Sequence, residues 1–502
     1  MPDDNPTADA PQPPAPQPAA PQPAASRERP DPKSIDRKAR LRMPSNLPAK
    51  QPPAERVHNW DEVSFLFDPE IAKAEATRCI QCPAAPCTKA CPVHNDIPGA
   101  FWLLEQDDIS GAANVFRETS ALPEMCGRLC PQERLCEGHC VVGKNAPPVA
   151  IGKLEVFVTE WQRAHAPPVV RCAEHSSGRS VAIVGSGPAG IGAAERLAGA
   201  GHRVVMYEAW PLPGGLLRYG IPDFKQNKPA VDRAFRDLAA LGVEVRTNTR
   251  VGDVVALEQL ASEYDAVFLA FGATEDSRLG IANEDAPGMY RATEFLVRGN
   301  LEPHELPEPM REPLPAFRGV VVVGGGDTSM DCVRTARRLG VPDVTLVYRR
   351  TEAEMQGRIE ERRHAVEEGV RFEFLTAPVE VLVDDRGAVR ALRCRRMRLG
   401  EPDESGRARP EAVPDSEFES PADAVVTAIG YNVDPDWGTA APAVARDRWG
   451  RVVVDPQSMR TSVRGVFAGG DGVNGADLVV TALADGQKAA AAIDAYLRDG
   501  SW

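Results

Sequence analysis

The stretch Val181–Glu208, VAIVGSGPAGIGAAERLAGAGHRVVMYE, decides how this chain folds. It begins with a short apolar, β-branched run of the length that forms a buried parallel strand. The pattern Gly185-x-Gly187-x-x-Gly190 comes next, followed by an Ala-rich segment with helical spacing and a second apolar strand that ends at Glu208. The glycines permit a tight turn, the approach of a diphosphate and close helix–strand packing, and the acid can accept from ribose hydroxyls. The stretch therefore predicts a dinucleotide-binding unit.

A second unit of the same kind follows in the segment GVVVVGGGDTSMDCVRTARRLG. Here Gly324 and Gly326 repeat the phosphate-binding pattern, with Ser329 in the place of the third glycine. The informative difference is that the next strand ends in Arg349 and Arg350 rather than in an acid. Paired arginines suit the 2′-phosphate of NADPH by charge and by bidentate geometry, although arginines at a strand end can also be merely solvated. We expect NADPH, rather than NADH, in this second unit.

Composition bounds the class of protein. At 502 residues, with 43% hydrophobic and 26% charged side chains, the chain has the length of about three soluble globular domains. Its net charge of −14 argues against nucleic acid as a partner. No apolar run approaches the ~18 residues of a membrane span, and the acidic, Pro-rich first residues do not have the pattern of a secretory signal. We therefore expect a cytoplasmic protein.

Eleven cysteines are present, and eight of them fall between residues 79 and 140. Such clustering in a cytoplasmic chain indicates metal or redox chemistry. Structural zinc is one interpretation, because two closely spaced cysteine pairs can close a tetrahedral site. The ferredoxin-type spacing, which ends in Cys-Pro, favours iron–sulfur clusters. The cysteines form a first group, Cys79, Cys82, Cys87 and Cys91, and a second group, Cys130, Cys136 and Cys140, with Cys126 just upstream.

Four segments carry a resemblance to a known family: RCIQCPAAPCTKACPVHNDIPG, EMCGRLCPQERLCEGHC, GGGDTSMDCVRT and VFAGGDGVNGADLVVTALADGQKAA. From about Arg56 to its C-terminus the chain resembles the small (β) subunit of NADPH-dependent glutamate synthase. Relatives of that subunit include the amino-terminal half of dihydropyrimidine dehydrogenase and the large subunit of ferredoxin:NADP transhydrogenase. The Pro/Ala-rich tail lies outside the resemblance.

The family carries two [4Fe–4S] clusters, which require eight ligands, and the two cysteine groups without Cys126 supply seven. The resemblance implies that the eighth ligand is Glu155, on the helix after the second group, and that Cys126 is a non-ligand thiol. It implies one cluster held by Cys79, Cys82, Cys87 and Cys140, and another held by Cys91, Cys130, Cys136 and Glu155.

The resemblance also implies which residues bind the nucleotides. Lys225 is expected near the flavin, with a solvated surface lysine as the alternative, while Asp471 is expected at the ribityl chain and Gly430 beside the nicotinamide. The residues implied for FAD are Gly185, Gly187, Ala189, Gly190, Glu208, Gly215, Leu216, Lys225, Asp471 and Val480. Those implied for NADPH are Gly324, Gly326, Asp327, Thr328, Arg349, Arg350, Arg358 and Gly430.

The predicted fold class is α/β. Two Rossmann-like dinucleotide-binding domains, one inserted in the other, follow an α-helical iron–sulfur domain and a disordered N-terminal tail. The predicted domains are a Pro/Ala-rich tail (1–55), a helical bis-[4Fe–4S] domain (56–170), a FAD-binding domain in two parts (178–290 and 432–502) and an NADPH-binding domain (291–431).

Together these parts predict an NADPH-dependent FAD/iron–sulfur oxidoreductase that passes hydride from NADPH to FAD and single electrons through the clusters to a partner protein. Such a path requires no catalytic acid or base, because the cofactors carry the chemistry. Neither nucleotide unit contains a C-x-x-C dithiol, so disulfide reduction is not expected. The resemblance implies the glutamate synthase large subunit as the partner in a hetero-oligomer. The alternatives are an NADPH:ferredoxin or pyrimidine-reducing oxidoreductase subunit, and a non-redox zinc and FAD scaffold.

Overall fold

The computed structural model describes residues 31, 34–168, 170, 172–402 and 406–502. The predicted disorder of residues 1–30 lies outside the described residues. Over 34–55 the structure differs from the prediction of a disordered tail, because this segment packs on the helical domain. Arg40 pairs with Glu105 at 2.5 Å, and the backbone N–H of Asn46 donates to the buried Glu75 at 2.7 Å. Buried carboxylates need partners, and the segment supplies them.

The cysteine-rich part of the chain is built from short helices with the cysteine loops between them. Aspartates begin four of the helices, and two examples are Asp96, which accepts from the Gly99 N–H at 3.2 Å, and Asp108, which accepts from the Gly111 N–H at 2.7 Å. The helices enclose an apolar core of their own. They are α1 (Arg37–Arg40), α2 (Pro53–Arg56), α3 (Pro69–Thr77), α4 (Pro86–Ala90), α5 (Ile97–Glu105), α6 (Ile109–Thr119), α7 (Pro123–Leu129) and α8 (Ile151–His165), with a 3₁₀ turn at Val141–Lys144.

The first nucleotide unit is a parallel sheet with helices packed on it. Its central strands are almost completely buried, as expected of a parallel sheet that is covered on both faces. The strands are β1 (Ser180–Val184), β2 (Arg203–Tyr207), β3 (Glu244–Arg246) and β4 (Ala266–Leu269), and a short β5 (Glu275–Asp276) leaves the sheet. The helices are α9 (Pro188–Gly199), α10 (Leu216–Tyr219), α11 (Lys228–Ala240) and α12 (Leu257–Glu263).

The second nucleotide unit has its own five-stranded parallel sheet and an antiparallel three-stranded sheet. Its strands are β6 (Met289–Arg291), β7 (Gly319–Val323), β8 (Asp343–Val347), β9 (Arg371–Glu373), β10 (Thr376–Val383), β11 (Val389–Pro402), β12 (Ala408–Pro421) and β13 (Ala424–Thr427). Its helices are α13 (Ala292–Asn300), α14 (Asp327–Arg338) and α15 (Ile359–Glu367), with 3₁₀ turns at Pro303–Glu305, Glu308–Met310 and Glu352–Glu354. The parallel order is β6-β13-β7-β8-β9, and β10, β11 and β12 form the antiparallel sheet.

After β13 the chain returns to the first unit. The strand β14 (Tyr431–Asn432) pairs antiparallel with β5, and α16 (Trp437–Ala440), β15 (Val466–Ala468), α17 (Asp471–Asn474) and α18 (Val479–Asp499) follow. The first sheet therefore has the order β15-β4-β1-β2-β3, with its edge strand supplied by the end of the chain. The α/β prediction with one unit inserted in the other is confirmed. Among the described helices, none combines the length and apolar character that a membrane crossing requires.

A buried charge cluster joins the helical domain to the second unit. Glu368, which follows α15, accepts from Arg56 at 2.8 Å, from Arg334 at 2.9 Å and from Arg338 at 2.9 Å. The side chains of all four residues are at most 1% exposed. Phe224 of the first unit lies under two of the guanidinium groups, with the Arg338 Cζ 3.9 Å from the ring centroid. The Glu368 carboxylate thus links the helical domain to the second unit, and its arginine partners add the contact with Phe224 of the first unit.

Candidate cofactor sites

A cleft opens at the carboxyl ends of β1 and β2. Ligands of open α/β sheets bind at this end of the strands. Both nucleotide units contribute to the walls of the cleft, so the two predicted cradles face one space. The predicted cofactor residues on its walls are Gly185, Gly187, Ala189, Glu208, Gly215, Leu216, Lys225, Asp327, Thr328 and Asp471.

The glycine loop of the first unit fits a diphosphate. At Gly190 a Cβ would lie 2.2 Å from the carbonyl oxygen of Gly185, so a side chain here would push α9 off the loop. At Gly187, the N-cap of α9, no protein atom lies within 4 Å of the position of a Cβ. This space lies at the free N–H groups and positive end of the helix, where an anion is stabilised. Gly215 also approaches the loop, since its Cβ would lie 3.1 Å from the Gly187 Cα.

Glu208 lies at the end of β2, beside the same loop. Its Oε1 accepts from the Trp210 N–H at 2.9 Å, and its Oε2 accepts from the Ser186 N–H at 3.2 Å and from the Ser186 hydroxyl. Burial raises the pKa of Glu208, and these hydrogen bonds oppose part of that rise. The carboxylate is thus held at the cleft wall, where an acid can accept from ribose hydroxyls. Sequence reasoning did not single out Ser186, which is the variable residue between the first two glycines.

The opposite wall comes from the last strand and helix of the chain. Asp471 follows β15, and burial raises the pKa of its carboxyl to about 7. The first turn of α18 reaches the cleft through Leu478 and Val479. Val480 is only 1% exposed and its side chain packs in the core, so only its backbone N–H is available to a flavin. The N-terminus of α18 is placed to stabilise negative charge on a ligand in the cleft.

Lys225 is a buried cleft residue, not a solvated surface lysine. Its Nζ donates to Asp331 Oδ1 at 3.0 Å and lies 3.9 Å from Asp327 Oδ1. Burial alone lowers the pKa of Lys225, but the two carboxylates raise it, and the net direction is upward. The ammonium therefore stays charged on the wall of the cleft. Asp331 was missed by sequence reasoning, although its position four residues after Asp327 places both on one face of α14.

The second glycine loop repeats the geometry of the first. Gly324 has a φ of 155°, and its Cβ would lie 2.2 Å from the carbonyl oxygen of Ala428. At Gly326, the N-cap of α14, the position of a Cβ is open, as at the corresponding glycine of the first loop. Ser329 donates from its hydroxyl to the Gly326 carbonyl at 2.7 Å, so its small side chain turns back on the loop. Gly430, after β13, has a φ of 116° and is also open on its Cβ side.

The two arginines after β8 have different surroundings. Arg349 is exposed, and within the described ranges its side chain makes no ion pair or hydrogen bond. Arg350 is buried, and its Nε donates to the carbonyl of Ala408 at 2.8 Å. The arginine that is free to meet a ribose 2′-phosphate is therefore Arg349, while Arg350 is held against the antiparallel sheet.

Arg358 does not lie at the phosphate site that the resemblance implied. Its backbone N–H donates to Asp327 Oδ1 at 3.1 Å, which fixes it beside the second glycine loop. Its guanidinium turns the other way, donating to the Arg128 carbonyl at 2.5 Å and to Gln132 Oε1 at 2.7 Å. Gln132 lies between Cys130 and Cys136 in the chain. Through its Nη1 and Nη2 atoms the side chain therefore joins the second glycine loop to a cysteine loop.

The structure brings the cysteines together in two spatial groups, which exchange two members with the groups defined along the sequence. From here on, the first group is Cys79, Cys82, Cys87 and Cys140, and the second group is Cys91, Cys130, Cys136 and Glu155. In the first group, burial raises the pKa of Cys79, and the nearby thiols of Cys87, Cys140 and Cys82 raise it further. Burial likewise raises the pKa of Cys87 to about 11, with Cys140 next in importance. Cys140 thus joins the three cysteines of the first loop, although more than fifty residues separate them in the chain. Deprotonating such buried thiols requires a bound cation.

The second group gathers Cys91, Cys130 and Cys136 around Glu155. Burial and the nearby Glu155 carboxyl raise the pKa of the Cys91 thiol to about 12, and Glu155 also raises the pKa of the Cys130 and Cys136 thiols. Glu155 is buried on α8 and accepts from Asn95 Nδ2 at 3.2 Å. Burial raises the pKa of Glu155 as well, so ionising this group of acids requires a bound cation such as a cluster. Cys126 is a fifth member, in hydrogen-bond contact with Cys130.

Within the part of the chain that the structure describes, no three His, Cys, Asp or Glu side chains converge as they would on one metal ion. Thiolates are a donor set that both iron–sulfur clusters and zinc accept.

The second group adjoins the flavin cleft. Leu129 lines the cleft, and the next residue in the chain is Cys130. Cys91 and Cys130 also pack against the apolar core of the first nucleotide unit. The four cysteines of the first group pack instead on the core of the helical domain. The cleft, the second group and the first group thus form a sequence of neighbouring sites.

Two family models match the chain. Residues 56–167 match the model described as dihydropyrimidine dehydrogenase domain II, 4Fe–4S cluster, and residues 179–486 match pyridine nucleotide-disulphide oxidoreductase. The NADPH glutamate synthase small chain of Escherichia coli K12 is 41% identical over 457 residues, covering 90% of this chain and 96% of that protein. The chain belongs to the family of glutamate synthase small chains. The predicted family is confirmed.

The comparisons bear on the cofactors and the fold of this glutamate synthase small-chain homologue. It is an NADPH-dependent oxidoreductase with FAD and 4Fe–4S chemistry, so the iron–sulfur interpretation is confirmed over the zinc one. The NADP⁺-dependent formate dehydrogenase subunit beta of Moorella thermoacetica is 40% identical over 440 residues, covering 83% of this chain and 60% of that protein. The Mycobacterium tuberculosis FprA structure with NADPH has a TM-score of 0.55 at 23% identity, covering 64% of this chain and 85% of that one, which supports the fold alone.

Proposed function

We propose that this chain is an electron-input subunit that oxidises NADPH and delivers electrons, one at a time, through two [4Fe–4S] clusters to a partner protein. The observation that carries the proposal is the succession of sites. Asp327 and Thr328, which follow the second glycine loop, line the same cleft as the first loop, and Leu129 on the cleft wall directly precedes Cys130 in the chain. The first cysteine group packs on the core of the helical domain.

The side chains of the cleft bind and orient in this proposal. FAD, when bound, supplies the conversion of a two-electron hydride transfer into single-electron steps. Gly187 leaves room for its diphosphate, and Glu208 accepts from its ribose. Lys225 keeps a positive charge between the two nucleotide cradles, held there by Asp331. No described residue of the cleft has to take up a proton for the electrons to move.

We propose for the second cysteine group that Cys91, Cys130, Cys136 and Glu155 are the ligands. The remaining four, Cys79, Cys82, Cys87 and Cys140, would hold the outer cluster. Cys126 is the competitor for the place of Glu155, since both lie beside Cys130. The assignment is supported by Glu155 acting on all three thiols of the group, whereas Cys126 also has Ser120 as a neighbour at 3.8 Å.

The partner we propose is the large chain of a glutamate synthase, so that the overall reaction converts glutamine and 2-oxoglutarate to glutamate. The Escherichia coli small chain named above supports this choice, because 96% of its length is matched. The formate dehydrogenase subunit is matched over a smaller share. In a hetero-oligomer of this kind, the chemistry on glutamine belongs to the partner and the electrons come from this chain.

Metal analysis and an anaerobic titration test the proposal. Protein purified without air should contain about eight irons and eight acid-labile sulfides, as two [4Fe–4S] clusters require. NADPH should bleach both the flavin and the cluster absorbance, and NADH should not. Four irons or fewer would contradict two clusters, and zinc in place of iron would contradict the redox function.

Co-purification from the native cell tests the partner. A glutamate synthase large chain should accompany the protein, and the complex should oxidise NADPH only when glutamine and 2-oxoglutarate are both present. A complex that instead reduces a ferredoxin or a pyrimidine would contradict glutamate synthesis and leave the electron-input function intact.

A further inference from the structure

The first cysteine group lies near the surface of the helical domain. Cys82 is half-buried, and the next two residues, Pro83 and Ala84, are exposed. The helix α1 covers one side of the group, because Arg40 donates to the Cys79 carbonyl at 2.7 Å. The four cysteines of this group pack on the core of the helical domain, whereas Cys91 and Cys130 of the second group pack on the core of the first nucleotide unit, which contains the cleft.

Basic side chains surround this exposed edge. Arg37, Lys38 and Arg42 lie on or beside α1, Lys89 lies on α4 between two cysteines, and Lys144 follows Cys140. We call these five residues the basic rim. Four are exposed and Arg37 is partly so, and none of the five makes an ion pair within the described ranges.

The charge of the basic rim is opposite to that of the whole chain. The chain has a net charge of −14. Yet Asp36 is the single acidic residue in the three segments that form the edge, residues 36–42, 83–90 and 139–145. The nearby Glu105 is neutralised by Arg40 at 2.5 Å. Five unpaired cations at one edge of a strongly acidic protein are a local reversal of charge, and that reversal coincides with the outer cysteine group.

We propose that the basic rim is the docking surface for the electron-accepting protein, and that the acceptor presents an acidic surface over its own redox centre. The proposal rests on the proposed function, in which electrons leave through the outer cluster. One electron passes from that cluster, which is oxidised, to the acceptor's centre, which is reduced. No bond forms or breaks, and no proton or further reactant is required.

Electrostatic complementarity acts mainly on the rate of encounter. Opposite surface charge raises association rates by about 10- to 1000-fold at low ionic strength. Salt removes the effect, because the Debye length falls from about 10 Å at 0.1 M to about 3 Å at 1 M. Without the rim, the overall charge of −14 would repel an acidic partner. The basic rim therefore explains how an acidic chain can bind an acidic partner.

The test uses two haem proteins of opposite charge as one-electron acceptors: cytochrome b5, which is acidic, and cytochrome c, which is basic. Full-length holoprotein is reduced with NADPH without air and mixed with each acceptor in a stopped-flow instrument. The variant Lys89→Glu, Lys144→Glu reverses two charges of the rim. A matched control, Arg386→Glu, Arg448→Glu, makes the same charge change at exposed positions outside the helical domain.

At low salt, the rim variant should reduce cytochrome b5 at least about tenfold more slowly than the wild type, and cytochrome c faster. The control should match the wild type with both acceptors, and the differences should disappear at about 1 M salt. A variant damaged in its fold or its cluster would be slower with both acceptors, so the opposite signs exclude that explanation. NADPH-dependent reduction of a neutral dye at the flavin should be unchanged.

Equal rates for the rim variant and the wild type with cytochrome b5, or an equal loss in the control, would overturn the docking surface. Failure of NADPH to reduce the clusters before any acceptor is added would instead contradict the proposed function. The two failures are distinguishable because the second is visible without an acceptor.

Discussion

The sharpest prediction compares three glycine-to-alanine changes in one helix and its N-cap. At Gly187 the added methyl group meets no protein atom within 4 Å, but it fills the space assigned to the diphosphate. At Gly190 it would lie 2.2 Å from the backbone oxygen of Gly185, which cannot move without moving the loop. At Gly199, the last residue of α9, it again meets nothing within 4 Å and lies far from the cleft.

The magnitudes follow from these contacts. Gly187→Ala should lengthen a charge-assisted hydrogen bond to the diphosphate, which costs about 1.5–3 kcal/mol, or about 10- to 100-fold in the Kd for FAD. The free energy of unfolding of the apoprotein should stay the same, because the φ of −71° at Gly187 suits alanine. Gly190→Ala should lower that free energy by at least about 1–3 kcal/mol by overpacking and should also lose FAD. Gly199→Ala is the matched control, and it should keep both properties.

Calorimetric titration of apoprotein with FAD and denaturant unfolding of the same apoprotein measure the two quantities separately. Retention of FAD at an unchanged Kd by Gly187→Ala would refute the assignment of the glycine gap to the diphosphate. An equal loss of stability in Gly187→Ala and Gly190→Ala would show that protein atoms, rather than a diphosphate, occupy the space beside Gly187.

Three further changes test other parts of the structure. Arg349→Ala should raise the KM for NADPH by about 10- to 100-fold, equivalent to about 1.5–3 kcal/mol, and leave the KM for NADH unchanged. Steady-state kinetics with each nucleotide measure the two constants, and an equal rise in both would contradict the prediction. Glu368→Gln should lower the free energy of unfolding by about 3–5 kcal/mol, because it leaves the buried Arg338 without its carboxylate and removes one of the two carboxylates that pair with Arg56 and with Arg334. A loss below about 1 kcal/mol in denaturant unfolding would contradict this. Burial opposes ionisation of Glu368, but Arg334 and Arg338 together outweigh it and lower the pKa of the carboxyl to about 2. The stabilisation should therefore be complete above the usual glutamate pKa of about 4.3 and be lost as the pH falls toward 2 in wild-type acid unfolding. Cys87→Ser should abolish electron transfer to the partner while dye reduction at the flavin continues, and loss of FAD from this variant would indicate a structural role for the cysteine instead.

Much of this protein is determined by its sequence over short distances. The two glycine patterns, each between a buried strand and a helix, predict both nucleotide units, because the turn, the N-cap and the helix contact are made by residues within a few positions of one another. The spacing of Cys79, Cys82, Cys87 and Cys91 along the chain likewise indicates a cluster loop. The acid after one second strand and the arginines after the other distinguish the two nucleotides by charge alone.

Only the tertiary structure decides the contacts between distant segments. It brings Cys140 to the first cysteine loop, pairs Lys225 with Asp331, and directs Arg358 away from the nucleotide toward a cysteine loop. It also holds α1 against the helical domain, where a basic, Pro-flanked segment alone indicates a solvated linker. Spacing along the chain does not reveal these arrangements, because each depends on which buried donor or acceptor needs a partner once the three domains have packed.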